Sequence, residues 1–323
     1  MIESLAKEPG IPRWMNVIPG SNGWAAAEPV DKGWSADRKY RIRTQDGQLL
    51  LLRLSDPGLA EAKREEFERV RQASKLGIPM SFPIDFGICE GAADRTFPEA
   101  GAPFVYSLLS WIEGEDAQEV LPGLSGAEAY ARGRDAGTWL RRMHGLSVPA
   151  GAEAPADTLR REVTRKLQAY ENGKHRLPFG AELLARIEAR LPLLEGLPAG
   201  FRHGDYHPGN MIFGPDGGLN VIDFNRSGTG DPLRDFNRME TFTSGISPDF
   251  ARGQLRGYWE SGPRDPDFWG RVSLYCAIEC LFAIVWAIPF GEPEITDTLS
   301  RSQIIWDDFD GFRRDTPKWL DEG

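Results

Sequence analysis

Three oxygen-bearing side chains at fixed spacing carry the strongest chemical signal in this sequence. They are Asp205 and Asn210 in the run His203-Gly204-Asp205-Tyr206-His207-Pro208-Gly209-Asn210, and Asp223 in Val221-Ile222-Asp223-Phe224. A carboxylate can orient an attacking hydroxyl and accept its proton, and Asp205 can supply that function. Mg2+ is a hard ion that takes carboxylates, amide oxygens and water, and Asn210 and Asp223 can supply such ligands. Between them, Met211-Ile212-Phe213, a Gly-Pro-Asp-Gly-Gly turn and Leu219 to Phe224 predict a short hairpin that would bring both ligands to one point. Phosphoryl transfer asks a protein for this set, because it needs positioning and charge stabilisation more than covalent chemistry. His203 is expected to make structural hydrogen bonds, and His207 either packs the loop or meets the substrate.

The elements that must position these residues fall into two kinds. Before residue 112 the pattern is mainly strand: Gly33 to Arg43, an Asp46-Gly47 hairpin turn, Leu49 to Leu54, then Ile84 to Cys89 and Phe104 to Trp111. One charged helix, Pro57 to Leu76, interrupts them and ends at Gly77. After Gly114 helical periodicity dominates, over 125–146, 157–173, 180–195, 232–243, 248–261, 265–288 and 296–312. The expectation is an α+β fold of two lobes. A small β-rich N-terminal lobe, 1–112, would precede a larger, mostly helical lobe, 113–323, that carries the Asp205 loop. Ligands usually bind in the cleft between such lobes.

Composition narrows the function classes. The chain has 323 residues, is 41% hydrophobic and 27% charged, and carries a net charge of −10, which argues against nucleic-acid and anionic-membrane partners. The charge is uneven: net −1 over residues 1–112 and −9 over the rest. An acidic second half would attract a cationic acceptor, or it serves solubility alone. The one long apolar run, Val272 to Phe290, has Glu279 at its middle and reads as a buried core helix rather than a membrane span. Cys89, Cys276 and Cys280 form neither a disulfide framework nor a metal pattern, and the N-terminus has no apolar core of signal-peptide length. A cytoplasmic protein, monomer or homodimer, is the expectation.

The run HGDYHPGN with VIDF resembles the catalytic and metal-binding loops of the aminoglycoside (antibiotic) phosphotransferase and choline kinase superfamily, relatives of the protein kinases. The stretch Gly230-Asp231-Pro232-Leu233-Arg234-Asp235 resembles the segment after the metal-binding aspartate in that superfamily, and the β-rich front also fits. The resemblance implies a protein-kinase-like fold, Asp205 as catalytic base, Asn210 and Asp223 as Mg2+ ligands, and ATP or GTP as donor. It places Ser35, in the turn Gly33 to Lys39, over the phosphates, and Ser110 and Ile112 at the hinge where the base ring would bond the backbone. The family usually has a Lys on the next strand; here Arg53 stands in its place, with Glu66 as candidate partner.

The acceptor site is expected on the helical lobe. Its candidates are His207, Asp235, Glu240, Glu279, Trp286, Asp307, Asp308 and Asp310. Asp235 has a competing role in loop hydrogen bonds, Glu279 one as a core carboxylate paired with an arginine, and the three late aspartates one as a solvated helix end. The acceptor reading put first is an aminoglycoside or other hydroxyl-rich antibiotic. A metabolic kinase for an amino alcohol, sugar or nucleoside-like acceptor is second. A catalytically silent nucleotide-binding protein on a kinase fold is the reading from another class. A protein kinase fits less well: the loop reads His-Gly-Asp, and only seven residues separate Phe224 from Pro232.

Overall fold

Alternating leucines build the first sheet. In a computed structural model, which describes residues 10–31, 36–90 and 103–321, five strands and one helix precede residue 114. They are β1 (Trp24–Pro29), β2 (Arg38–Thr44), β3 (Leu49–Ser55), α1 (Ala60–Ala73), β4 (Pro83–Cys89) and β5 (Phe104–Ser110). The sheet order is β1-β2-β3-β5-β4, antiparallel throughout. Side chains alternate faces along a strand. Leu50, Leu52 and Leu54 of β3 therefore join Ile42, Phe104, Tyr106 and Trp14 in one core, while Arg53 projects from the other face and is buried there. The Asp46-Gly47 turn forms as expected, with Gly47 at φ 88°. Strand β1 was not anticipated, because its Trp-Ala-Ala-Ala-Glu-Pro sequence has little strand preference.

The remaining elements are β6 (Glu115–Asp116), α2 (Ala117–Val120), α3 (Gly126–His144), α4 (Pro155–Asn172), α5 (Gly180–Arg190), β7 (Gly200–Arg202), β8 (Met211–Phe213), β9 (Leu219–Val221), β10 (Gly228–Gly230), α6 (Pro248–Glu260), α7 (Phe268–Ala287) and α8 (Glu292–Asp308). Contacts divide the chain into two units. One takes the described residues up to Gly114 together with Gly214–Ile222; the other takes 115–213 and 223–321. The division after Gly114 lies two residues from the boundary expected at 112, and the turn 214–222 groups with the first unit. Val221 explains why: its N–H donates to Pro79 O (2.9 Å), and its carbonyl accepts from Ser81 N (3.3 Å).

In the second unit β6 pairs with β8, and β7 with β10, both antiparallel. The span expected to be helical, 232–243, is helical throughout but changes type along its length. Asp231 caps Leu233 N (3.1 Å), Pro232–Phe236 forms a 3-10 turn, and Met239–Thr243 a single π turn. Helix α3 begins at a capping box, Ser125 with Glu128. Helix α7 is apolar enough to cross a membrane by length and composition, but 67% of that stretch is buried in the protein. It is the core helix that the sequence predicted. Cys89, Cys276 and Cys280 are all buried free thiols.

Helices α3 and α6 meet backbone to backbone. A Cβ at Gly137 would lie 1.9 Å from Gln254 O, and one at Gly133 2.1 Å from Phe250 O; Gly253 and Gly257 of α6 face α3 equally closely. Any side chain there must push the helices apart. Gly137→Ala is expected to destabilise the fold by about 1–3 kcal/mol despite alanine's better helix propensity. Urea unfolding checks this: the midpoint should fall with the slope unchanged, whereas a rise would show that the contact is not tight.

Candidate active site

Strand β7 runs directly into the loop that carries Asp205. Gly204 has φ +86°, and a Cβ there would sit 2.1 Å from Arg226 O, so only glycine allows the loop to lie against the segment after Asp223. Asp235 grips this loop. Its Oδ2 accepts the N–H of His203 (2.8 Å) and its Oδ1 that of Gly204 (2.7 Å). His144 Nε2 lies 3.1 Å from the same Oδ2, and His144 Nδ1 lies 2.9 Å from the Tyr258 hydroxyl. Burial works to raise the pKa of Asp235, but the hydrogen bond and charge of His144, with Arg202, hold it below the usual carboxylate range.

His203 is wholly buried, with its ring 4.5 Å from Phe224 and 5.4 Å from Tyr206. Its Nδ1 accepts the N–H of Asp205 (3.4 Å). Burial depresses its pKa although Asp235, Asp205 and Asp223 all act on it. A neutral imidazole therefore lies within the field of three carboxylates, two of them the residues singled out for chemistry. The Tyr206 hydroxyl donates to Ala136 O (2.8 Å), which ties the loop to α3.

The Asp205 carboxylate is mostly buried and heavily engaged. Oδ1 lies 3.0 Å from Arg238 Nε, 3.6 Å from His207 Nε2 and 3.7 Å from Arg226 Nη1. Oδ2 accepts from Asn210 Nδ2 (3.1 Å). Burial opposes ionisation, but His207, Arg238 and Arg226 overcome it and drive the pKa far below the ordinary 3.8. His207 Nδ1 accepts from Gly209 N (3.2 Å), and the ring lies 4.9 Å from Phe242. His207 thus packs the loop and faces Asp205.

Asn210 donates from Nδ2 to both Asp205 O (2.9 Å) and Oδ2, which leaves Oδ1 as the acceptor end of the amide. Asp223 stands in the left-handed region at φ 60°, ψ 69°, and begins the Phe224–Arg226 turn. Such a conformation costs a non-glycine residue about 1–3 kcal/mol and gathers at functional sites. One amide oxygen and one carboxylate suit Mg2+, which is commonly held by one or two protein carboxylates plus phosphate oxygens and water. Among the described residues no three His, Cys, Asp or Glu side chains cluster as a metal site, so an all-protein cage is not what this donor set offers.

The nucleotide candidates lie in the first unit. Ser35 lies outside the described residues. Arg53 Nη2 pairs with Asp37 Oδ2 (3.2 Å), and Lys63 Nζ bridges Asp37 Oδ2 (2.7 Å) and Glu66 Oε2 (3.0 Å). The Ser55 hydroxyl also donates to Asp37 (2.7 Å). Glu66, the partner expected for Arg53, is linked to it in this network through Lys63 and Asp37. Sequence reasoning missed Asp37 and Lys63; the only signal was the i,i+3 spacing of Lys63 and Glu66. Ser110, expected as a base contact, is bonded within its own unit. Its N–H donates to Phe82 O (2.8 Å), its carbonyl accepts from the Ser81 hydroxyl (2.5 Å), and its own hydroxyl accepts from Phe82 N (2.8 Å). Ile112 makes no backbone hydrogen bond among the described residues.

The acceptor candidates separate into three groups. Asp235 is corrected: at 2% exposure, with both oxygens on the loop, it cannot meet a substrate. Asp307 is exposed and accepts from Gln303 Nε2 (3.1 Å) of its own helix. Glu279 pairs with Arg238 (3.2 Å), and both line a cavity of about 250 Å3 beside the Asp205 loop. Glu162, Arg202, Gly204, Arg226, Arg234 and Asn237 complete that lining. Glu240 and Asp308 share a different cavity, of about 310 Å3, with Arg301, Ile304 and Trp319. Trp319 Nε1 donates to Glu240 Oε2 (2.7 Å).

The fold and this loop geometry define a kinase-like phosphotransferase. The model of the phosphotransferase enzyme family matches residues 26–269, and the chain belongs to that family. It is an enzyme that transfers a phosphoryl group to an alcohol group of a small-molecule acceptor. Sequence comparison with curated proteins gives no significant match. Among solved structures, the fold is similar to an amicoumacin kinase in complex with AMP-PNP, Ca2+ and Ami, at TM-score 0.65 and 14% identity, covering 92% of each chain. It is similar to a choline/ethanolamine kinase family protein from Mesorhizobium loti, at TM-score 0.64 and 19% identity over 96% of this chain and 97% of that one. It is also similar to APH(2")-IIa in a ternary complex with streptomycin and ATP, at TM-score 0.59 and 17% identity over 88% and 93%. The protein-kinase-like α+β architecture expected from the sequence is the one observed.

Burial and the facing Asp308 carboxylate push the pKa of Glu240 up to about 8 from an ordinary 4.5. The folded state thus binds a proton that the unfolded state releases. The associated stability is complete below about pH 4.5 and is lost as pH rises through about 8. Glu240→Gln, which keeps the acceptor oxygen for Trp319, should remove this part of the fall in melting temperature between pH 5 and about 8. Parallel pH–stability curves for both proteins would show that Glu240 is ionised throughout.

Proposed function

We propose that the chain is a Mg2+-dependent kinase moving the γ-phosphate of ATP or GTP to a hydroxyl of a small, hydroxyl-bearing metabolite. The observation that carries this is the Asp205 carboxylate, held ionised at the end of a loop gripped by Asp235 and bonded by Asn210. In the proposed reaction Asp205 accepts a hydrogen bond from the acceptor hydroxyl and orients its oxygen toward the γ-phosphorus. The new O–P bond forms as the bond to the departing nucleoside diphosphate breaks, and the hydroxyl proton passes to Asp205. A loose phosphoryl-transfer transition state asks for little proton removal before bond formation, so a carboxylate of depressed pKa suits an orienting role. Asn210 Oδ1 and the Asp223 carboxylate would hold Mg2+. When bound, the ion supplies charge neutralisation at the phosphates. Arg53 and Lys63, both positive and linked through Asp37, are the candidates for steadying the triphosphate.

The antibiotic reading of the acceptor rests on the acidic second half of the chain. The cavity beside Asp205 weighs against its aminoglycoside form, since four arginines line it against two glutamates. A polycation would be repelled there. The kinase-like neighbours span both acceptor classes, and at 14–19% identity they leave the choice to the pocket.

Asp205→Asn should lower kcat by about 10²- to 10⁴-fold while leaving nucleotide binding within severalfold. Coupled release of nucleoside diphosphate, with Mg2+ and a panel of hydroxyl acceptors, makes the measurement. Turnover near that of the wild type would remove Asp205 from its role, and unstimulated nucleotide binding across the whole panel would favour the silent nucleotide-binding reading.

A further inference from the structure

The cavity of about 250 Å3 beside Gly204 contains an imbalance of charge that the phosphotransfer reading does not use. Its two carboxylates are already committed. Glu162 receives both Arg234 Nη1 and Nη2 at 2.6 Å and also meets Lys166 Nζ at 2.9 Å. Glu279 meets Arg238, which in turn reaches Asp205. Arg226 also leans on Asp205, at 3.7 Å, and its side chain is nearly half exposed. The fourth guanidinium, Arg202, has no ion pair or hydrogen bond among the described residues, and its Nε is buried without a partner.

Arg202 is held in place by the backbone rather than by a counter-ion. It ends β7, three residues before Asp205, and pairs with Gly228 of β10. A Cβ at Gly230 would lie 2.9 Å from Arg202 Nε, so the glycine at φ 155° makes room for the guanidinium stem. Burial, with Arg234 close by, lowers the pKa of Arg202, although the charges of Asp235 and Glu162 act against that shift without a direct ion pair. Keeping a buried guanidinium unpaired is costly, and an anion that enters the cavity relieves that cost. Guanidinium is also the side-chain group best matched to planar or tetrahedral oxyanions through paired N–H donors.

We infer that this cavity is the anion subsite of the acceptor pocket: the phosphorylated hydroxyl belongs to a molecule that also carries a carboxylate or a phosphate ester, received by Arg202 with help from Arg226. The inference rests on the proposed phosphotransfer reading for the hydroxyl, but not for the anion. A small acceptor fits the volume, with its acidic group at Arg202 and its hydroxyl toward Asp205. Arg202 is then a specificity-determining residue, and the neutral analogue of the acceptor leaves it unsatisfied.

The test uses the wild-type chain with pairs of probes that differ only in the acidic group: D-gluconate with D-glucitol, and ribose 5-phosphate with ribose. Calorimetric binding without nucleotide is measured first, and phosphoryl transfer from ATP with Mg2+ second. At least one acidic probe should bind about 10- to 100-fold tighter than its neutral partner. Arg202→Gln should erase that preference and Arg202→Lys should keep part of it, with both variants melting as cooperatively as the wild type. The two pairs distinguish a carboxylate from a phosphate ester as the group received. Equal affinity within both pairs, a preference that survives in Arg202→Gln, or no binding of either acidic probe at millimolar concentration would overturn the inference. Acid-selective, Arg202-dependent binding without phosphoryl transfer would uphold the anion subsite and count against the kinase reading alone.

Discussion

One carboxylate, that of Asp235, fixes the position of everything this site does. Two successive backbone N–H groups, of His203 and Gly204, point at its two oxygens at 2.8 and 2.7 Å. An ionised carboxylate accepting amide hydrogen bonds in a buried setting is strong, and it is directional at both oxygens. Asp205 is the next residue along, so its side chain inherits that orientation. Asp235 is itself oriented by His144, and His144 by Tyr258. The chain of contacts ends in two helices, α3 and α6, whose glycine faces let their backbones touch.

This arrangement explains why α3 and α6 are built for closeness rather than for apolar bulk. His144 is the last residue of α3, and Tyr258 lies near the end of α6. Their ring centroids are 5.4 Å apart, and the Tyr206 hydroxyl reaches Ala136 O of α3. If the helices separated, both the histidine that orients Asp235 and the anchor of Tyr206 would shift together. The left-handed Asp223 and the left-handed Gly204 meet the same frame from the other side, since Gly204 lies against the carbonyl of Arg226. Backbone strain at Asp223 persists because the surrounding loop contacts over-determine it.

The chemistry-bearing loop was legible in the sequence because its side chains sit at fixed local spacing. The HGDYHPGN run, the turn at 214–218 and Asp223 lie within about twenty residues of one another, and short-range patterns can encode that. Asp235 stood in the sequence between loop support and substrate contact, and its buried double acceptance decides for support. The features hidden from the sequence depend on distant partners. Asp37 and Lys63 matter only because the sheet and α1 place them beside Arg53. Nothing in the sequence marks Arg202, since a buried guanidinium nitrogen without a hydrogen-bond partner is a property of packing alone. The helical span at 232–243 was legible from its apolar spacing, but its 3-10 and π turns were not, because Asp231 and Asp235 are both taken by tertiary bonds. The bonds of Ser110 with Ser81 and Phe82 were hidden for the same reason.

Amide hydrogen exchange at His203 and Gly204 tests most directly whether Asp235 clamps the Asp205 loop through two amide bonds. Asp235→Asn replaces one accepting oxygen with an amide group that cannot receive a backbone N–H. The account predicts that exchange at one or both of these amides speeds by about tenfold or more, while exchange in α7 is unchanged. Protection at both amides equal to that of the wild type would contradict it and would assign the position of the loop to some other contact.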